Sequence, residues 1–116
     1  MPLKQPAQST AQQRVLQQAL ALADLDIAVA GAVVALRQLS DAPAYDKASS
    51  TAYQALARAD AQLLHQGAVS LLAAARSAPE STRRAAAVAI AGLAAASKLI
   101  TTHKRLLDRL DLRLAS

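Results

Sequence analysis

The stretch Ser77-Ala-Pro-Glu-Ser-Thr-Arg-Arg84 decides the reading of the fold. Ser77 offers an N-cap hydroxyl, Pro79 sits where a helix needs no N–H, and Glu80 stands at the fourth residue of a capping box. Downstream of this start one apolar row recurs every seven residues, at Leu93, Ile100, Leu107 and Leu114, beside Leu99, Leu106 and Leu110. No breaker interrupts it, so a long third helix is expected to run toward the C-terminus.

Upstream, a helical face of Tyr53, Leu56, Leu63, Leu64, Gly67, Leu71 and Ala74 predicts a second helix ending near Arg76. Its start has two readings. Asp41 could cap a helix carrying Pro43 in its first turn. Alternatively Thr51 and Gln54 form a capping box, which leaves 42–50 as a loop. Further upstream, Thr10 with Gln13 forms another box that opens a first helix, expected to end near Ser40 before Asp41-Ala42-Pro43. Its apolar residues fall in two rows: Leu16, Leu20, Ala23, Ile27, Ala30 and Val34, then Leu22, Leu25, Val29, Val33 and Leu36. Two rows suit a helix contacted from more than one side.

Nothing alternates with the period of a strand. The expected fold class is therefore all-α, an antiparallel up-down-up bundle of three long helices with an Ala/Leu-rich core. Residues 1–9 read as an N-terminal tail and 10–116 as one helical-bundle domain, since 116 residues fit a single domain.

Composition makes that core thin. The chain holds 31 Ala, 19 Leu, 6 Val and 3 Ile, with no Cys, Trp or Phe. Alanine buries little area, so Leu, Val and Ile must supply most of the hydrophobic driving force. Absent Cys excludes a disulfide scaffold, a thiolate-bound zinc or a thiol nucleophile. Met1 to Gln13 lack the apolar core of a secretory leader. The apolar run Ala85 to Ala96 is too short for a membrane span, and Ala19 to Leu36 is interrupted by Asp24 and Asp26. The expectation is a soluble, cytoplasmic protein for which a membrane partner is unlikely.

One internal similarity stands out. At an offset of 36 residues, 18–44 and 54–80 share 12 of 27 positions, Ala supplying five of them. Gln18-Ala-Leu-Ala-Leu-Ala-Asp24 matches Gln54-Ala-Leu-Ala-Arg-Ala-Asp60, Gly31-Ala-Val33 matches Gly67-Ala-Val69, and Ala42-Pro43 matches Ala78-Pro79. Each unit reads as one helix plus its turn. Gly92 adds a third mid-helix glycine, and a helical glycine costs about 1 kcal/mol against Ala, which close helix approach would offset.

Catalytic chemistry finds no foothold. His65 and His103 lie on different helices with no ligand at metal spacing beside them. Asp24 and Asp60 occupy matching places in the repeat, which suggests structural ion pairs with an Arg of a neighbouring helix or subunit before an acid/base pair. No phosphate loop, nucleophile elbow or dinucleotide fingerprint is present. The expectation is a protein that is not an enzyme and needs no cofactor or metal.

What remains is interaction. Apolar rows on more than one face of a small helical domain suit a homo-oligomer or a docked protein partner. The candidate interface residues are Val29, Val33 and Leu36 on helix one, with Leu99, Leu106, Leu107, Leu110 and Leu114 along the C-terminal seam. An alternative is sequence-independent binding of nucleic acid by the basic third helix, through Arg83, Arg84, Lys98, Lys104, Arg105, Arg109 and Arg113. Asp108 and Asp111 among these charges, and the lack of aromatic stacking residues there, weigh against it.

Overall fold

A computed structural model describes residues 6–105, with side chains from Thr10 onward. The chain is all-helical, with four helices packed against each other: α1 Pro6–Gln38, α2 Asp46–Arg58, α3 Ala61–Ser77 and α4 Glu80–Thr102. Among the described residues there is no strand.

The expected second helix is two helices. Ala59 takes a left-handed conformation at φ 51°, and Asp60 then starts α3 by accepting hydrogen bonds on Oδ1 from the Gln62 and Leu63 N–H groups at 2.9 and 3.1 Å. An alanine at positive φ is strained by its Cβ, roughly 1 kcal/mol above glycine there. The fold accepts that strain because the reversal lays α2 back on α3. The two helices then meet where the Ala52 Cα lies 3.3 Å from the position a Gly67 Cβ would take.

Other boundaries move as well. α1 begins at Pro6, so Thr10 lies inside the helix and does not cap it. Of the two readings for the second start the earlier is right in place but not in its cap: Ala42, not Asp41, holds the cap position, with no side-chain cap bond. Pro43–Tyr45 forms a 3-10 turn leading directly into α2 at Asp46, and Thr51 sits within the helix with its hydroxyl on the Lys47 carbonyl. Ser77 closes α3 and does not cap α4. Its hydroxyl bonds back to the Ala74 carbonyl, while Pro79 occupies the cap position of α4 with no side-chain cap bond. α4 stops at Thr102, where the His103 N–H bonds to the Leu99 carbonyl.

α4 is the central helix. It packs on α1 along one side and on α3 along another, while α2 packs on α3 and meets α1 only marginally. Its buried Ala86, Ala89, Leu93 and Ala96 follow the three–four spacing of one helix stripe. The core is indeed thin: eleven of its nineteen buried apolar residues are alanines, joined by seven leucines and Tyr45. Small side chains let the axes approach. The carbonyl oxygen of Ala28 lies 2.8 Å, and the Ala32 Cβ 2.9 Å, from where a Cβ on Gly92 would stand. Here the helical glycine has its expected reason.

Two polar links tie the elements together. The Ser97 hydroxyl donates to the Ala61 carbonyl at 2.7 Å, holding the start of α3 to α4. Thr82 Oγ1 lies 2.8 Å from the Pro79 carbonyl and 3.0 Å from the hydroxyl of fully buried Tyr45. One Thr proton serves the carbonyl, and the Tyr O–H can donate to Thr82.

Candidate interaction surface

α1 has 33 residues and so a length of about 50 Å, against 23 residues in α4. Its N-terminal half therefore projects past the other described helices. From Thr10 to Leu20 every side chain is exposed except half-buried Gln18. The molecule is accordingly elongated, 61 × 27 × 18 Å.

The two apolar rows of α1 have opposite fates. Leu25 and Ala32, flanked by Ala21, Ala28, Val29, Ala35 and Leu36, form the side that faces α4 and the core, which Leu39 continues in the turn after α1. Leu16, Leu20, Ala23, Ile27, Ala30 and Val34 lie on the opposite side and are all exposed. Ile27 keeps 71% of its surface, Leu16 60%, Leu20 55% and Val34 54%. Successive members of this outer row are four, three, four, three and four residues apart, the alternation of a coiled-coil seam. Gln13 and Arg37, the next positions of that alternation, bound it with polar side chains.

Beside the row runs an open groove between α1 and α4. One part, about 770 Å³, lies between Ile27, Gly31 and Val34 of α1 and Arg84, Ala85 and Val88 of α4. A second, about 520 Å³, is lined by Asp24, Ile27 and Ala28 against Lys98, Leu99 and His103. Ile27 belongs to both. Gly31 faces this opening, with nothing within 4 Å of where its Cβ would be. Toward the N-terminus of α1, Ala11, Val15, Leu16 and Ala19 continue the exposed apolar surface.

The candidate interface residues are distributed unevenly. Leu36, at 1% exposure, is a core residue, and Val29, Val33 and Leu99 are half-buried against that core. Leu106, Leu107, Leu110 and Leu114 lie outside the described residues. The free apolar surface of α1 thus belongs to the Leu16–Val34 row. Sequence had shown both rows; which one α4 covers depended on tertiary packing.

Of the basic candidates, Arg83, Arg84, Lys98, Lys104 and Arg105 are exposed on and just beyond α4. Arg109 and Arg113 lie outside the described residues. Asp24 and Asp60 do not form an equivalent pair: Asp24 is exposed mid-helix, while Asp60 is the cap of α3. His65 is exposed on α3 and His103 half-buried at the end of α4. Among the described residues no three His, Asp or Glu side chains could share a metal ion. The Ser49 hydroxyl is buried without a hydrogen-bond partner, and it borders none of these hollows.

Thr10–Gln38 and Glu80–Thr102 are long and apolar enough to cross a membrane by length and composition alone, a test that core helices also pass. No family model matches the chain, and neither a curated protein nor a solved structure shows significant similarity to it.

Proposed function

We propose that this chain is a non-enzymatic interaction protein, an adaptor, accessory or assembly subunit that works by self-association or by docking a protein partner. The carrying observation is the apolar row Leu16–Leu20–Ile27–Val34, exposed on the side of α1 opposite the core. Isolated Leu or Val residues on a surface are ordinary, but an aligned series extending beyond the bundle marks a contact surface. Helix-in-groove recognition uses this spacing of anchors, and the adjoining α1–α4 groove adds Val88 and Leu99 to it. Among the described residues no cluster of side chains supports a metal role, and a cytoplasmic setting is compatible with a chain that holds no Cys.

Size exclusion with light scattering, run on the native chain and on Val34→Asp, tests the reading. The expected result is loss of association in the variant with its helical circular dichroism unchanged. A variant that matches the native chain both in self-association and in protein binding contradicts it.

A second reading is nucleic-acid binding through α4, favoured by the exposure of all five described basic candidates. It predicts binding to duplex DNA that falls steeply with salt and weakens on Arg84→Glu with Lys98→Glu. No binding at about 20 mM salt, where the Debye length is on the order of 20 Å and surface charges are weakly screened, would remove it.

A further inference from the structure

We propose that the occupant of the exposed α1 row is α1 of a second copy of the chain, lying antiparallel to the first. This rests on the reading of the row as a contact surface and adds the partner and its register.

The shape of the row limits what can cover it. It extends through 19 residues, from Leu16 to Val34, along one continuous helix, and its Leu16 and Leu20 lie ahead of Ala21, where burial against the bundle begins. The stretch Thr10–Leu20, with its apolar side chains exposed, is marginal as a helix in water unless its apolar side packs on something. A complementary partner is another helix with the same spacing, and α1 itself has it.

Register follows from side-chain size. With two α1 helices antiparallel and the pairs centred on residue 25, Leu20 stands opposite Ala30 of the second copy and Ile27 opposite its Ala23. Leu16 then meets Val34, and Gln13 meets Arg37 at the polar ends. Every inner layer combines one large with one small side chain, so the axes keep a constant separation. A parallel pair would stack Ala23 on Ala23 and Ala30 on Ala30, leaving unfilled space between layers of Leu, Ile and Val.

Electrostatics oppose this arrangement mildly. Asp24 and Asp26 of both copies come near the twofold axis, with Lys98 of α4 lining the same hollow as Asp24. These carboxylates are exposed, and solvent-screened repulsion of that kind weighs less than unfilled layers.

The area is adequate. Four side chains between 54% and 71% exposed, with the neighbouring alanines, present on the order of 600 Å² per copy. Doubled, that reaches the lower edge of the roughly 1,200–2,000 Å² buried by stable specific interfaces. A dissociation constant in the micromolar range is expected for an interface of about that size.

Because the chain has no native Cys, introduced thiols report the register without interference. Leu20→Cys and Ala30→Cys, both at exposed positions, are mixed in equal amounts, distinguished by a short tag on one, and mildly oxidised at a concentration where light scattering shows the dimer. The expected product is the mixed Leu20→Cys/Ala30→Cys disulfide, at least tenfold over either self-linked species. Predominant self-linking of Ala30→Cys would establish a parallel pair and overturn the register, while leaving the row a contact surface. A chain that stays monomeric at 200 µM, about a hundredfold above a micromolar dissociation constant, overturns the proposal. In that case dimers appearing only after removal of 106–116 would assign the row to the chain's own C-terminal segment. Sedimentation of the monomer with anionic vesicles would assign it to lipid. Binding of a protein partner lost in Ile27→Asp would keep the proposed function without the second copy.

Discussion

Residues 18–24 and 54–60 differ at one position in seven, yet one heptapeptide continues through the middle of a 33-residue helix and the other ends α2 and begins α3. Asp24 is an exposed helical side chain, whereas Asp60 holds two backbone N–H groups. Ala23 is helical, whereas Ala59 is left-handed. Local preference cannot choose between outcomes it scores almost equally. Packing chooses: a reversal at Ala59 lets α2 reach Gly67 of α3, while α1 packs mainly along α4 and continues unbroken.

The sharpest way to break this comparison uses the glycines. Gly92→Ala drives a methyl against the Ala28 carbonyl and the Ala32 Cβ, and should destabilise the fold by about 1–3 kcal/mol. Gly31→Ala enters open space and should stabilise by roughly 0.5–1 kcal/mol through helix propensity. Paired denaturant midpoints decide it, and equal shifts of one sign would refute close approach as the role of Gly92.

Next in size is the cap. Asp60→Ala removes the acceptor for two N–H groups and should cost about 1 kcal/mol. Asp24→Ala, at the matching but mid-helix and exposed position, should instead stabilise by about 0.5–0.7 kcal/mol through helix propensity. Urea midpoints of the two variants would coincide if the α2–α3 break were absent in solution.

A substitution of opposite sign at equivalent sites gives the finest test. Ala59→Gly relieves a left-handed alanine and should stabilise by about 0.5–1 kcal/mol. Ala23→Gly puts glycine inside a helix and should destabilise by a similar amount. A loss of stability in both would mean that 59 is helical and that the second helix continues, as its apolar spacing alone suggested.

These contrasts show what was legible. Helical character was readable everywhere, as were the turn at 41–43 and the break between the last two helices, because Pro43 and Pro79 exclude the helix interior physically. The Ala59–Asp60 break was not, since alanine is the strongest helix former and advertises no left-handed turn. Both rows of α1 were visible, but their periodicity is equally good. Only the approach of α4 through Gly92 onto Ala28 and Ala32 determines that Leu25 and Leu36 are covered while Ile27 and Val34 remain open. Hence Val29, Val33 and Leu36 were reasonable interface candidates by pattern, although their row belongs to the core side.

The exposed row of α1 is the claim on which the account turns, and sedimentation equilibrium tests it directly. The native chain, Ile27→Asp on the outer row and Leu72→Asp at an exposed site on α3 are compared from about 0.2 to 200 µM, from roughly a decade below to two decades above a dissociation constant near 2 µM. The account predicts a monomer–dimer transition in the native chain, the same transition in Leu72→Asp, and a monomer throughout in Ile27→Asp, all three equally helical. Identical transitions in all three proteins, or dimers lost only with Leu72→Asp, would contradict it.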